Sequence, residues 1–222
     1  MPYLRPILKS TFFLLFICLS SGLFAQSNFY KFSIGSGFGI TNAYADTRKT
    51  IISYAGSATL DYYLTPYMTL GAEWQKGKLQ GGENNTKYLN NYSTMTFNAK
   101  IHAGEFLSAR DLNNPFFKSI RGLYVGAGVG IIKNKVDVPE RNVYGRKSKE
   151  VIFPFNAGIN FYFHNHWGYS RFILNLNIQG TTSLEDGMDD DLNPYSNFND
   201  IYNFFSLGIK YNFGPLGLDR KR

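Results

Sequence analysis

The sequence predicts an all-β fold, an eight-stranded antiparallel transmembrane β-barrel, and three observations carry that expectation. Apolar and polar residues alternate strictly in several segments, as they do in a strand whose two faces meet different environments. Aromatic residues make up 17% of the 222 and charged residues 18%, a near-parity that suits a wall facing lipid. Mean hydropathy is only -0.23. Beyond residue 25 no apolar run reaches the roughly 18 residues of a spanning helix, whereas a spanning strand needs only about 9–11 residues, half of them apolar.

The first 25 residues differ from the rest. Arg5 and Lys9 precede the apolar run Phe12, Phe13, Leu14, Leu15, Phe16, Ile17, Cys18 and Leu19, and Ser20, Ser21 and Gly22 lead to Ala25-Gln26. A basic start, a short apolar centre and a small-residue exit predict a secretory signal peptide over 1–25, cleaved after Ala25. Lipidation at Cys18 is disfavoured by the bulky Ile17 before it. Cys18 is the sole cysteine, so the mature chain would hold no disulfide, thiolate nucleophile or Cys-based metal site. The chain carries a formal charge of +7; losing two of its 23 basic and none of its 16 acidic residues would leave +5. For an exported chain that excess points to anionic lipid headgroups rather than to nucleic acid.

The predicted barrel covers 26–213. Its first segment sets Tyr30, Phe32, Ile34, Phe38 and Ile40 against Lys31, Ser33, Gly35, Gly37 and Gly39. Segments over 54–64 and 68–78 follow. The fourth, 92–107, pairs Met95, Phe97, Ala99 and Ile101 with Thr96, Asn98, Lys100 and His102. The fifth sets Leu123, Val125, Ala127, Val129 and Ile131 against Tyr124, Gly126, Gly128, Gly130 and Ile132. The sixth spans 151–163. The seventh, 171–183, sets Phe172, Leu174, Leu176 and Ile178 against Ile173, Asn175, Asn177 and Gln179. In the last, Phe205, Leu207, Ile209, Tyr211 and Phe213 face away from Ser206, Gly208, Lys210 and Asn212. An even number of strands closes without an edge. Residues 214–222 read as a short basic tail.

Connector lengths alternate as well. Residues 64–67 and 164–170 make short turns, whereas 41–53, 79–91, 134–150 and 184–200 are longer and polar; 108–122 is a long connector on the short side. Short periplasmic turns and longer extracellular loops suit an outer-membrane barrel.

A soluble barrel would put the apolar face inward. Repeated glycine on the polar face argues otherwise, because it weakens an exposed strand yet fits a crowded interior. Aromatics at the short-turn end (Tyr30, Tyr62, Tyr67, Phe106, Tyr124, Phe163, Phe172 and Phe213) predict a belt at a lipid–water interface. Tyr54, Trp74, Tyr92, Phe153 and Tyr202 predict a looser one toward the loops.

On these residues the chain resembles the compact outer-membrane β-barrel domain family typified by the OmpA transmembrane domain and OmpX. The resemblance covers about residues 28–213. Its strongest token is the closing strand, whose alternate apolar residues end at Phe213, similar to the signal read by the barrel-assembly machinery; the tail beyond Phe213 departs from it. The resemblance is to the bare barrel only, and the expectation is a monomer without a cofactor.

With the apolar face outward, a lumen charge network is expected from Lys31, Asp61, Glu73, Lys100 and Lys210: Glu73 with Lys100, and Asp61 near Lys31 with Lys210 on its other side. Eight strands leave a lumen just wide enough for side chains, which favours a closed polar core over the narrow gated ion path that the resemblance would suggest. His102 should face the lumen and His164 and His166 a short turn. None has a serine two residues on, so lipid A modification is the least supported reading and no enzyme is read here. The loops carry opposite charges: Lys133, Lys135, Arg141, Arg146, Lys147 and Lys149 in the third, and Glu185, Asp186, Asp189, Asp190 and Asp191 in the fourth. Solvated loops, lipopolysaccharide phosphates on Lys147 and Lys149, a divalent cation on Asp189, Asp190 and Asp191, and loop–loop pairing all remain open. The expected role is structural, adhesive or surface-interactive.

Overall fold

The computed structural model describes residues 27–44, 50–82, 87–108, 110–139, 143–166, 169–183 and 201–218. The signal peptide expected over 1–25 and the acidic loop holding Asp189, Asp190 and Asp191 lie outside them. Eight long strands are the staves: β1 (Ser27–Tyr44), β3 (Ser53–Thr65), β4 (Met68–Gly81), β5 (Tyr88–His102), β6 (Leu123–Val138), β7 (Val143–His164), β8 (Ser170–Ser183) and β9 (Ile201–Leu218). The two-residue β2 (Thr50–Ile51) extends the sheet beside the end of β4. Each stave runs antiparallel to its neighbour in the chain, and pairing of β1 with β9 closes the ring. Closure leaves the sheet no open edge at membrane depth, the condition lipid imposes on a spanning sheet.

The period-two pattern fixes which way each side chain points. In β5, Thr94, Thr96, Asn98, Lys100 and His102 are buried inside, while Met95 and Phe97 are more than half exposed outside. In β9, Phe205, Leu207 and Ile209 face out, and Phe204, Lys210 and Asn212 are buried. Ordinary core logic is thus inverted, with amides and charges inside and apolar side chains facing lipid.

The two short turns are closed locally. Tyr67 N donates to Thr65 Oγ1 at 3.2 Å, and Asn165 N donates to Tyr169 O at 2.8 Å. The long connector on this side folds into 3-10 turns at Ala103–Glu105 and Asp111–Asn113 and a single-turn helix, α1 (Pro115–Ile120). Asn114 caps α1 by accepting from Phe116 N at 2.9 Å, and Pro115 opens it, where a missing N–H costs nothing.

The structure corrects several boundaries. Residues 134–150 are expected to be a loop, but β6 runs to Val138 and β7 begins at Val143, so Lys147 and Lys149 lie on a strand. The cause is a tight bulged hairpin: the register shifts between Val136 and Val138, Gly145 adopts φ 69°, and its N–H donates to Asp137 Oδ1 at 2.6 Å. Nor does the last strand stop at Phe213. Gly214 (φ 87°) and Pro215 bulge opposite Lys31, and Leu216–Leu218 pair with the start of β1.

The aromatic belts are partly as expected. At the short-turn end Phe32 packs at a tilt against Tyr62 (5.2 Å between centroids) and stacks on Phe213 (6.0 Å), and Phe172 packs at a tilt against Tyr211 (5.3 Å). Arg171 Nε donates to Tyr30 OH at 3.1 Å and its Nη1 to Tyr211 OH at 3.2 Å, linking two tyrosines of the belt through one exposed cation. Tyr124, Tyr92 and Tyr202, however, are inside the barrel and buried. Parity decides it: Tyr92 shares a face with Thr94, and Tyr202 with Phe204.

Candidate functional site

The lumen is stacked in layers. At the short-turn end His102 is 1% exposed. Its Nδ1 meets Tyr67 O at 2.8 Å; a carbonyl can only accept, so Nδ1 carries the proton and Nε2 accepts from Asn160 Nδ2 at 2.9 Å. A chain of amides rises from there. Asn175 Nδ2 donates to Asn160 Oδ1 (2.7 Å) and to Tyr124 OH (2.9 Å), and Tyr124 OH donates to Asn177 Oδ1 (2.8 Å). Gln179 Nε2 donates to Asn156 Oδ1 (3.2 Å), and Asn156 Nδ2 to Asn98 Oδ1 (3.2 Å). Gln75 Nε2 donates to Glu73 Oε1 at 2.6 Å and to Gln179 Oε1.

Of the five charges expected in the lumen, the structure brings Glu73 to Lys100 and Asp61 to Lys210. Glu73 Oε2 and Lys100 Nζ are 3.9 Å apart, and Lys100 Nζ lies 5.7 Å from the centre of the Tyr124 ring. Asp61 Oδ2 takes a 2.5 Å bond from Lys210 Nζ. Lys31 is not brought to Asp61, because the register sets Ser33 opposite Asp61, and Lys31 is half-buried at the Gly214-Pro215 bulge. Glycines make room for these long side chains. A Cβ at Gly35 would come 2.8 Å from Lys210 Cγ, one at Gly126 2.7 Å from Lys100 Cγ, and one at Gly71 would collide with Asp61 Oδ1.

Toward the loops the lumen turns apolar. Ala43, Ala55, Leu79, Tyr92, Ile132, Ile152, Tyr202 and Phe204 pack into one buried cluster. Above it Glu150 accepts from Asn134 Nδ2 (2.9 Å), Ser148 Oγ (2.7 Å) and Ser183 Oγ (2.5 Å). Neither the apolar layer nor the buried Glu150 is expected from the sequence; the inward parity of Ile132 is its one visible sign. Between the two ion pairs remains a cavity of about 20 Å³ lined by Thr59, Glu73, Lys100, Asn175 and Lys210, enough for about one water. Among the described residues no three His, Cys, Asp or Glu gather as metal ligands.

The outer wall carries the second candidate. Lys76, Lys78, Lys133, Lys135, Lys147 and Lys149 line one shallow groove beside Tyr54, Asn91 and Ser93, with no acidic residue among the described lining. All six point outward and are exposed. His164 and His166 lie at the opposite end, where His164 Nε2 is 2.9 Å from Arg121 Nη2.

Comparison with known proteins agrees with the geometry. The chain superimposes on Neisserial surface protein A (TM-score 0.53, 10% identity), covering 82% of this chain and 97% of that one. It is also similar to Ail, the attachment invasion locus protein of Yersinia pestis (TM-score 0.49, 15% identity, 83% and 99% covered). The N-terminal β-barrel domain of Pseudomonas aeruginosa OprF gives TM-score 0.47 at 16% identity, with 83% and 98% covered. No curated protein sequence matches. The family model for the outer membrane protein beta-barrel domain matches residues 11–213, and the chain belongs to that family, an eight-stranded barrel of the Gram-negative outer membrane.

Proposed function

We propose that the protein is a non-conducting membrane scaffold whose work is structural or adhesive, done by its outer wall and the chain at its loop end. The filled lumen carries this reading. A layer of paired charges and amides lies under an apolar plug, and the cavity between the ion pairs, about 20 Å³, holds about one water rather than a file of ions. Strands that rise past the lipid-facing band, above all the β6–β7 hairpin, put polar surface where neighbouring molecules can meet it. The scaffold works as a monomer, because the closed ring offers no free edge for a second chain. Its last strand, with outward Phe205 to Phe213 at alternate positions, suits handling by the barrel-assembly machinery.

No catalysis is assigned. Both ring nitrogens of His102 are engaged, by Tyr67 O and Asn160, so neither is free to serve as a base. Planar-bilayer recording of the refolded full chain tests the scaffold reading. A flat trace is the expected result. Reproducible unit steps would overturn it in favour of a narrow gated pore.

A further inference from the structure

The six wall lysines are arranged by sheet register, not scattered. Lys76, Ser93, Lys133 and Lys149 are successive partners across β4, β5, β6 and β7, and Lys78, Asn91, Lys135 and Lys147 form the next rung. Neighbouring strands are about 4.8 Å apart, so each rung spans roughly 14 Å, and the rungs are about 7 Å apart along the strands. Lys133 directly faces Lys149, and Lys135 faces Lys147. Like charges directly opposite on one face of a sheet destabilise it. The arrangement therefore favours an anion that bridges the rungs.

The rung on the membrane side identifies that anion. Trp74, Met95, Ile131 and Val151 are successive partners on the same four strands. Trp74 and Met95 are more than half exposed, and Trp74 Nε1 donates to Ser93 Oγ at 3.0 Å, joining the apolar rung to the first lysine rung. The outer wall thus passes within two residues along each strand from apolar side chains to lysines, at the end of the barrel opposite Ser27 and Leu218. An interfacial tryptophan sits at headgroup depth. A soluble polyanion would use the lysines and leave the apolar rung unfilled. A phosphorylated lipid fits both.

We propose that these two lysine rungs seat the phosphates of an outer-leaflet lipid of the lipopolysaccharide type, with its acyl chains against Trp74, Met95, Ile131 and Val151. The site rests on the reading of the chain as a scaffold in the outer membrane, but it uses only the outer wall. Neither lumen ion pair takes part.

Native mass spectrometry of the full chain refolded in neutral detergent tests the site with three probes: bisphosphorylated lipid A, the same lipid dephosphorylated, and inorganic pyrophosphate. The wild type should retain the bisphosphorylated lipid about tenfold or more over the dephosphorylated one, given the attraction each lysine adds near anionic headgroups. The variant Lys133→Gln/Lys135→Gln/Lys147→Gln/Lys149→Gln should lose that preference and still bind the dephosphorylated lipid as the wild type does. Its heat-shifted gel band reports folding, and the smaller Lys133→Gln/Lys149→Gln variant serves if the larger one misfolds. Equal retention of both lipids by the wild type overturns the proposal, as does a preference that survives in a folded variant. Pyrophosphate displacing lipid A at equal concentration would assign the lysines to a soluble polyanion and overturn the lipid. None of these outcomes alters conductance, so the scaffold reading fails or stands separately.

Discussion

Lys210 Nζ lies 2.5 Å from Asp61 Oδ2, although β9 and β3, which carry them, are not neighbours in the barrel. The bond crosses β1 at Gly35, whose Cβ would come 2.8 Å from Lys210 Cγ. A three-strand span inside a narrow lumen needs a long donor, a short acceptor and no side chain between them. Both ends of the bond are buried.

Breaking it from one side leaves a charge stranded. Lys210→Met should cost about 3–5 kcal/mol, because Asp61 is then buried without its partner. Asp61→Leu/Lys210→Met should recover most of that loss, since an apolar pair of similar volume carries no desolvation penalty. Urea unfolding of the three refolded proteins, read by gel mobility, compares them. A double variant no more stable than the single one would refute this account of the pair.

Space, not backbone conformation, should govern the interior glycines. At Gly71 a methyl group would collide with the Asp61 carboxylate, whereas at Gly56, on the lipid side, the nearest heavy atom to an added Cβ is 3.8 Å away. Gly71→Ala should therefore destabilise by about 1–3 kcal/mol through overpacking, and Gly56→Ala should stay within about 0.5 kcal/mol of the wild type. The same urea titration reads both, and equal effects would remove crowding as the reason for the glycines.

How far these features are legible in the sequence depends on contrast along each strand. Phe205, Leu207 and Ile209 against Ser206, Gly208 and Lys210 show their faces directly. Lys133-Asn134-Lys135 does not, because both faces there are polar, and the pattern that marks a strand at 123–132 falls silent just where the strand continues. Tyr92 and Tyr202 mislead for a related reason. A tyrosine suits an interface belt and a plugged lumen equally, and only its parity with Thr94 or Phe204 tells them apart. Lys31 needs more still: its displacement from Asp61 follows from the Gly214-Pro215 bulge on a different strand. No local pattern encodes that. The Glu73–Lys100 contact was foreseeable because adjacent strands and mid-strand positions suffice to bring the two together.

The apolar plug should be the barrier to conduction. Phe204 is fully buried in it, between Tyr202 and the amide layer. Phe204→Ala should cost about 3–5 kcal/mol through the cavity it leaves. It should also admit water to the layer of Glu73 and Lys100, so that brief unit steps appear in planar bilayers where the wild type gives none. A destabilised but silent variant would move the barrier to the ion pairs beneath.

Depth in the membrane can be read by placing one arginine at two levels of the outer wall. Ile209 is outward-facing, with Leu207 and Phe205 toward one end and Tyr211 and Phe213 toward the other, so it marks the middle of the lipid-facing band. Val151 shares the rung of Trp74, one step from the lysines. An arginine at the midplane of such a barrel costs about 2–4 kcal/mol, against about 0–1 near the interface. Ile209→Arg should fall in the first range and Val151→Arg in the second, measured by reversible unfolding from lipid vesicles in urea. At the Val151 level the guanidinium can reach headgroup phosphate, whereas at Ile209 it lies several strand residues from water in either direction. Equal penalties would mean that the rung of Trp74 lies deeper than the interface, and the lysines above it would then lie below the lipid phosphates rather than among them.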